Sequence, residues 1–225
     1  MLERYQRCIP ALSESELSVL RGKSVLVAGC GGLGGYIIEY LARLGVGRIT
    51  VIDGDSFEPT NLNRQMLCES ALMGVSKALT ARERILRVNP DIEVEAIHAF
   101  LNQDNADSLI QPCDVVLDAL DNVSARRILI STCMKKGIPC VYGAIRGWVA
   151  QAALLLPGET LMDWLFNGPD QIADRSVLSF TPALCASMQV SLCIRHLCEK
   201  PVESGKIFFF DLQTMEFETI PLSVP

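Results

Sequence analysis

Residues 24 to 34 read SVLVAGCGGLG, an apolar run that passes directly into a glycine-rich turn, and an amphipathic stretch follows from Tyr36 to Leu44. This order predicts a strand, a tight turn and a helix. Glycines in such a turn let the main chain approach a phosphate closely, and the N–H groups at the start of the helix attract its negative charge. The positions expected to contact phosphate are Gly29, Gly31, Gly32 and Gly34.

An acidic residue closes the next apolar run. Residues 48 to 52 (RITVI) predict a second strand, and Asp53 follows directly. A carboxylate there, roughly 20 residues beyond the glycine turn, can accept hydrogen bonds from ribose hydroxyls. The turn, its flanking strand and helix, and Asp53 together predict a nucleotide site. They do not identify the nucleotide, because NAD-dependent enzymes share this pattern.

The alternation of strand and helix continues along the chain. Apolar strands that alternate with helices predict an α/β fold, a Rossmann-like, doubly wound and mainly parallel sheet with an antiparallel C-terminal edge. That edge comes from the two strands expected within 206–222, around a turn near Gln213. The other strands are expected near 94–99 and 114–119, with one or two in 139–156, and the helices near 13–21, 77–88, 105–110, 124–136 and 181–199.

The chain has 225 residues, enough for one sizeable α/β core and too few for two comfortable ones. We expect a single domain over 1–225, with an N-terminal helical arm at 1–22 and a nucleotide-binding core at 23–156. The remainder, 157–225, holds a crossover loop, a helix and a hairpin. Residues 158–180 show little periodicity, and loops of that length in compact domains are usually functional or mobile.

Composition narrows the classes of partner and location. Hydrophobic residues make up 49% and the mean hydropathy is +0.28, so we expect apolar surface buried in a homodimer. A net charge of −6 and a pI near 5.0 argue against a nucleic-acid partner. The first ten residues lack the apolar run of a signal peptide, and the longest charge-free stretch, 176–194, contains Pro182 and Gln189. We therefore expect a cytoplasmic protein that does not span a membrane.

Polar and basic residues follow Asp53 where a plain dinucleotide-binding unit has a short loop. They are Asp55, the run 61–65 (NLNRQ) and Lys77. Arginine offers a planar fork for phosphate oxygens and lysine a compact charge, so the group favours a nucleoside triphosphate over NAD. Taken singly, Arg64 and Lys77 are more often ordinary solvated charges.

With these residues the chain resembles the E1-like activating enzymes, the ThiF, MoeB and HesA group, and in particular bacterial sulfur-carrier-protein adenylyltransferases. The resemblance spans nearly the whole chain, including the strand that begins at Gly205-Lys206. The matching motifs are Arg4-Tyr5-Gln6-Arg7, the glycine turn, Asp53 with Asp55, Asn61 to Gln65, Lys77, Asn89-Pro90, and Asp121-Asn122 with Arg126.

The resemblance implies a role for most of these positions. The glycine turn would hold the nucleotide phosphates and Asp53 the ribose. Arg64 and Lys77 would neutralise the triphosphate, while Asn61 and Gln65 would order their loop. Arg7 would enter the active site of the partner subunit, so that a homodimer forms two composite sites.

The resemblance also implies that Asp121 would bind Mg²⁺, with Asn122 beside it. The residues support this independently, because Asp121 follows the expected strand 114–119 at the edge where open α/β sheets bind ligands. Magnesium favours one or two carboxylates together with phosphate oxygens. Asp118 competes for the role, although alternation along the strand could turn it toward the core, where it would need a partner. We favour Asp121.

The reaction implied is attack of a carboxylate on the α-phosphorus of ATP, with pyrophosphate leaving. The carboxylate would belong to the C-terminal Gly-Gly of a small ubiquitin-like sulfur-carrier protein, for thiamine or molybdopterin-type sulfur transfer. Three alternatives stay open: an E1-like enzyme acting on another carboxylate, a non-catalytic E1-like subunit that binds nucleotide or a partner, and an NAD-dependent oxidoreductase. Retention of Arg7, Arg64, Lys77 and Asp121 together speaks against the second, and the triphosphate-like residues against the third.

The chain departs from the family in its cysteines. Many relatives carry two C-x-x-C pairs that bind zinc, whereas none of the nine cysteines here has that spacing, so we expect no zinc. Cys185 lies on a predicted helix, where core packing is favoured over a role as nucleophile. His98 and His196, the two histidines, are expected to be structural.

Overall fold

The computed structural model describes residues 3–158 and 176–221, whose strands form one sheet in the order β3-β2-β1-β4-β5-β6-β7-β8. The first five strands in this order are parallel, and β6, β7 and β8 continue the sheet in antiparallel pairs. The predicted fold class is confirmed. The strands are β1 Ser24–Ala28, β2 Arg48–Ile52, β3 Glu93–Ile97, β4 Val115–Asp118, β5 Cys140–Arg146, β6 Val149–Leu155, β7 Lys206–Asp211 and β8 Glu216–Pro221.

Helices cover both faces of the sheet. Their bounds are α1 Glu14–Arg21, α2 Gly32–Leu44, α3 Lys77–Val88, α4 Ala106–Leu109, α5 Val123–Lys136 and a long C-terminal helix, Thr181–Leu197, with 3-10 turns at Glu3–Cys8, Pro59–Asn61 and Ser70–Leu72. Among the residues described, no helix combines the length and apolarity needed to cross a bilayer.

The central strand β1 shows why the sheet needs two layers of helices. Its side chains alternate between faces, and those of Val25, Leu26, Val27 and Ala28 are all buried. Val25 and Val27 pack in a core built by α2, α3 and the C-terminal helix. Leu26 and Ala28 pack in the opposite core, built by α4 and α5. Helices on both faces are the arrangement expected of a doubly wound sheet.

Several element boundaries differ from the predictions. Helix α2 begins at Gly32, not near Tyr36, because its glycines pack against the turn before it instead of ending the helix. Strand β3 ends at Ile97, and the predicted run 139–156 resolves into the hairpin β5–β6. Most of the predicted crossover loop, 159–175, lies outside the described residues.

The N-terminal arm docks at the far end of the helices from the glycine turn. The Tyr5 ring is buried against Gly45, where a Cβ would lie 2.2 Å from the Tyr5 hydroxyl oxygen. The Asn89 side chain donates to that hydroxyl at 2.9 Å and accepts a hydrogen bond from Arg4. Gly45 and Asn89 are the C-caps of α2 and α3, so the arm covers the C-terminal ends of both helices.

Candidate nucleotide site

The glycine turn between β1 and α2 brings main-chain segments into close contact. Gly29 adopts φ +100°, and a Cβ on it would lie 2.6 Å from the Ala119 carbonyl oxygen. A Cβ on Gly34 would lie 1.8 Å from the Gly29 carbonyl oxygen, which excludes any side chain there. Gly31 is the N-cap of α2 and makes no side-chain cap hydrogen bond, so the first N–H groups of the helix are available to an anion.

Asp53 is tied to the glycine turn at the end of β2. Its Oδ2 accepts from the Cys30 N–H at 2.7 Å, and its Oδ1 accepts from the Asp55 N–H at 2.7 Å. Burial raises the pKa of the Asp53 carboxyl, while those N–H groups and the nearby Lys77 ammonium oppose the rise. The Asp53 carboxylate therefore lies beside the glycine turn.

Lys77, the first residue of α3, lies next to these carboxylates. Its side chain is 8% exposed, and its Nζ lies 3.0 Å from Oδ2 of Asp55, which is 51% exposed. Its N–H donates to the Asp55 carbonyl at 3.0 Å, so the start of α3 is joined to the segment after β2. The structure thus brings Lys77, Asp53 and Asp55 together at the carboxyl edge of β2.

The segment between β2 and α3 is ordered by Asn61, which is buried. The Asn61 Oδ1 accepts from the Glu58 N–H at 3.0 Å, and its carbonyl accepts from the N–H groups of Arg64 at 3.2 Å and Gln65 at 3.0 Å. The Arg64 guanidinium donates to the Thr60 carbonyl at 2.8 Å. These bonds fold the segment into a compact turn, which agrees with the loop-ordering role predicted for Asn61.

That turn places Arg64 and Gln65 directly over the glycine turn. A Cβ on Gly32 would lie 3.6 Å from Arg64 Cγ, and a Cβ on Gly31 would lie 3.5 Å from Gln65 Nε2. Gln65 is 6% exposed, and its Oε1 has no hydrogen-bond partner within the described ranges. A basic and an amide side chain therefore border the N-terminus of α2, where a phosphate would bind.

The two candidate carboxylates after β4 have opposite environments. Asp118 is fully buried, with Oδ1 accepting from the Leu120 N–H at 3.0 Å and Oδ2 lying 3.5 Å from Arg126 Nε. Burial raises the pKa of the Asp118 carboxyl, and the Arg126 charge opposes the rise. Asp121 is exposed, and Asn122 beside it caps α5 by accepting from the Ala125 N–H at 2.7 Å. Asp121 is thus the carboxylate that can reach a ligand.

A single protein carboxylate, that of Asp121, is enough to hold Mg²⁺ when a bound nucleotide supplies the other ligands. Its exposed carboxylate lies at the carboxyl edge of the sheet, close to the glycine turn through the Gly29–Ala119 contact. Magnesium keeps several waters and phosphate oxygens and needs only one or two protein carboxylates. The described residues hold no group of three His, Cys, Asp or Glu side chains that could bind a metal on their own.

Arg7 is not brought to this site within its own chain. It is exposed on the N-terminal arm, which packs at the C-terminal end of α2. Helix α2 has 13 residues, a length of about 20 Å at 1.5 Å per residue, and the glycine turn is at its other end. A contact between Arg7 and phosphates would therefore require the site of another copy.

Cys185 and Cys30 are buried, whereas His98 is exposed just after β3 and His196 is partly buried. Burial raises the pKa of the Cys185 thiol to about 12, and its S–H donates to the Gln151 carbonyl at 3.3 Å, as expected of a core residue. Cys30, inside the glycine turn, is also buried, with its pKa raised well above the ordinary range. His98 Nδ1 lies 2.9 Å from the Ser76 hydroxyl, and burial lowers the pKa of His196 on the C-terminal helix.

Sequence reasoning missed a buried polar group beneath Asp121. Arg126 Cζ lies 5.3 Å from the Tyr142 ring centroid, and the Gln189 side chain donates to the Asp118 carbonyl at 2.8 Å. The sequence placed Arg126 in a motif without a role. Tyr142 and Gln189 lie in apolar runs, and the only signal was a polar residue in each, which does not reveal its partner.

The sheet order and the helices on both faces define a protein of the doubly wound α/β class. The model of the ThiF family matches residues 4–225. The SAMP-activating enzyme E1 of Haloferax volcanii is 34% identical to the chain, over 98% of the chain and 85% of that protein. The sulfur carrier protein adenylyltransferase of Thermus thermophilus is 32% identical, over 97% and 86% respectively.

A solved structure shares the fold at lower identity. MccB of E. coli with ATP superimposes with a TM-score of 0.84 at 20% identity, over 99% of this chain and 72% of that one. The chain belongs to the ThiF family of E1-like activating enzymes. Like the relatives that carry the name, it is an adenylyltransferase.

Proposed function

We propose that this chain uses ATP to adenylate the C-terminal glycine carboxylate of a small ubiquitin-like sulfur-carrier protein, releasing pyrophosphate. The product is an acyl adenylate on the carrier, made for sulfur transfer of the thiamine or molybdopterin type. Two copies of the chain form a homodimer in which Arg7 of each reaches the site of the other. Support for the substrate comes from the relatives above, whose names specify a SAMP or a sulfur carrier protein.

The observation that carries the proposal is the position of Arg64 over the glycine turn. In a dinucleotide enzyme that selects NADP, the arginine lies near the ribose carboxylate and binds the 2′-phosphate. Here Arg64 Cγ lies near Gly32, at the phosphate end of the site, and Lys77 occupies the carboxylate end beside Asp53 and Asp55. Cations along both ends of the nucleotide suit a triphosphate whose negative charge must be neutralised.

Catalysis then rests on positioning and charge. The attacking carboxylate is already ionised at neutral pH, so the protein needs no general base. Arg64 exchanges its bond to the Thr60 carbonyl for phosphate oxygens, because a guanidinium gains more from an anion than from a neutral carbonyl. Lys77 stabilises the charge that develops on the phosphates, and Asp53 holds the ribose.

Asp121 is the side chain that would hold Mg²⁺, with Asn122 fixing the start of α5 beside it. A bound magnesium ion supplies charge neutralisation to the phosphates and to the leaving pyrophosphate. The residues of the chain orient the nucleotide around that charge, and the glycine turn keeps its main-chain N–H groups on the phosphate side.

The test is ATP–pyrophosphate exchange by the purified chain with a ubiquitin-like carrier that ends in Gly-Gly. Exchange is expected with the full carrier and not with a carrier that lacks the two glycines. A free peptide or a small carboxylate of equal concentration is the control for substrate class. Exchange with that control alone would assign the chain to a different carboxylate, and nucleotide binding without any exchange would make it a non-catalytic subunit.

A further inference from the structure

Arg126 lies beneath the segment that presents Asp121, on the first turns of α5. Its side chain is 12% exposed, its Nε donates to the Leu120 carbonyl at 2.8 Å, and its Nη2 donates to the same oxygen. The guanidinium also lies against the Tyr142 ring and 3.5 Å from the Asp118 carboxylate. The planar guanidinium is held by the Tyr142 ring and by the Asp118 carboxylate. It therefore fixes the position of the Leu120 carbonyl oxygen, to which it donates.

Four main-chain polar groups of residues 118–120 have defined hydrogen-bond partners. Gln189 donates to the Asp118 carbonyl at 2.8 Å, and the Asp118 carboxylate accepts from the Leu120 N–H at 3.0 Å. The Ala119 N–H donates to a carbonyl of β1 at 2.8 Å. Arg126 completes the set by binding the Leu120 carbonyl. Asp121, the next residue, is exposed. Its carboxylate is therefore carried by a main-chain segment whose position these hydrogen bonds fix.

We propose that Arg126 is a positioning residue that grips the Leu120 carbonyl and thereby fixes the direction in which the Asp121 carboxylate faces the nucleotide and its Mg²⁺. Asp118 keeps the guanidinium charged and in place, and the Tyr142 ring supports it from the other side. The proposal rests on the proposed function for the part that concerns Mg²⁺, while the grip on Leu120 is a property of the protein alone.

The geometry explains why this position needs arginine. Lysine carries the charge but has a single donor centre and no planar fork. It can pair with Asp118 or donate to the Leu120 carbonyl, but it makes each contact more weakly than the guanidinium does. Glutamine fills part of the volume and donates one hydrogen bond, but it leaves the buried Asp118 carboxylate without its cation. Comparing the two variants therefore distinguishes the contribution of the Arg126 charge from that of its planar pair of donors.

The test uses Arg126→Gln and Arg126→Lys, with Lys135→Gln as the matched control because Lys135 is exposed at the other end of the same helix. Amide hydrogen exchange of residues 119–122 is expected to become about tenfold faster in Arg126→Gln and less so in Arg126→Lys, and to stay at the wild-type rate in the control. Should Arg126→Gln fail to fold, Arg126→Lys answers the same question, since it keeps the buried charge.

The second measurement is the ratio of ATP affinities with and without Mg²⁺, by calorimetry. In Arg126→Gln we expect the ratio of ATP affinities with and without Mg²⁺ to fall about tenfold. The ATP affinity without Mg²⁺ should stay near the wild-type value. Unchanged amide exchange at 119–122 in a folded variant overturns the proposal, and so does an unchanged Mg²⁺ effect. A wild-type chain that binds MgATP but never exchanges pyrophosphate with a carrier refutes the proposed function and leaves this inference standing.

Discussion

The main chain of Gly29 lies against that of Ala119, so closely that a Cβ on Gly29 would sit 2.6 Å from the Ala119 carbonyl oxygen. This contact joins the glycine turn after β1 to the segment after β4 that presents Asp121. The glycine turn and the segment that presents Asp121 are therefore in direct contact, and a change at Gly29 is expected to disturb both.

Gly29→Ala tests that contact, and Gly74→Ala is its matched control. Both glycines have positive φ, +100° and +78°, but a Cβ on Gly74 would meet nothing within 4 Å. Gly74→Ala carries only the backbone penalty, about 1 kcal/mol, whereas Gly29→Ala adds the collision and is expected to cost at least about 2 kcal/mol more. Urea unfolding measures the stability and calorimetry the ATP affinity, which should fall in Gly29→Ala alone.

Arg64→Ala is expected to lower carrier-dependent pyrophosphate exchange by on the order of 100-fold or more, because it removes a cation from the phosphates in the transition state. Arg82→Ala, an exposed arginine on α3, is the control and should retain wild-type exchange. Equal activity in the two variants would remove Arg64 from the mechanism. Thermal unfolding should be similar in both, since within residues 3–158 and 176–221 the Arg64 guanidinium donates to Thr60 and Asn63 of its own turn.

Mixing two inactive variants tests the composite site. Arg7→Ala and Arg64→Ala are each expected to be inactive, yet a heterodimer contains one site with both arginines intact. An equal mixture after subunit exchange should recover about a quarter of wild-type exchange activity, because half the dimers are mixed and each has one complete site. No recovery, with heterodimers shown to form, would place Arg7 outside the partner's site.

Glu39→Gln tests a buried charge in the middle of α2. Burial raises the pKa of the Glu39 carboxyl, but pairing with Arg84 and Arg43 outweighs it, so the pKa lies below the ordinary 4.5. A lowered carboxyl pKa contributes stability above the unfolded-state value, and the contribution is lost as the pH falls through the folded-state value. We expect a loss of about 2 kcal/mol at neutral pH, modest because both arginines are partly exposed.

The matched control for that substitution is Glu83→Gln, an exposed position on α3. Urea unfolding at pH 7 should show a deficit in Glu39→Gln and none in the control. The gap between wild type and Glu39→Gln should begin to narrow as the pH drops below 4.5, where the unfolded chain takes up the proton first, and should close as the pH falls through the lowered folded-state pKa of Glu39. A gap independent of pH would mean that packing, and not the ion pairs, accounts for the loss.

Cys185→Ala is expected to leave pyrophosphate exchange at the wild-type level. The thiol is fully buried and its pKa is raised to about 12, so it cannot supply a thiolate near neutral pH. The native chain should accordingly resist alkylation at Cys185, as peptide mapping can show. If pyrophosphate exchange or sulfur transfer failed in Cys185→Ala while the free energy of unfolding stayed unchanged, the Cys185 thiol would have to be considered a nucleophile.

Local patterns were sufficient to predict the order of elements, and they indicate where a nucleotide would bind. Residues 24–34 encode a strand, a turn and a helix through apolar periodicity and glycine placement, which act between near neighbours in the chain. Asp53 is expected at the site because it follows the end of β2, and the carboxyl ends of parallel strands meet at one edge. The roles of Arg64 and Lys77 are implied by the resemblance to the E1-like activating enzymes.

Contacts between distant segments depend on the folded chain. Sequence favours Asp121 over Asp118 as the metal ligand, but only the folded chain shows that Asp118 is buried against Arg126. Nor could it show that Gln189 reaches the Asp118 carbonyl or that Arg126 grips Leu120, since these partners meet only when the C-terminal helix and α5 pack on the sheet. Periodicity reports which face a residue lies on, whereas packing sets which group it meets there.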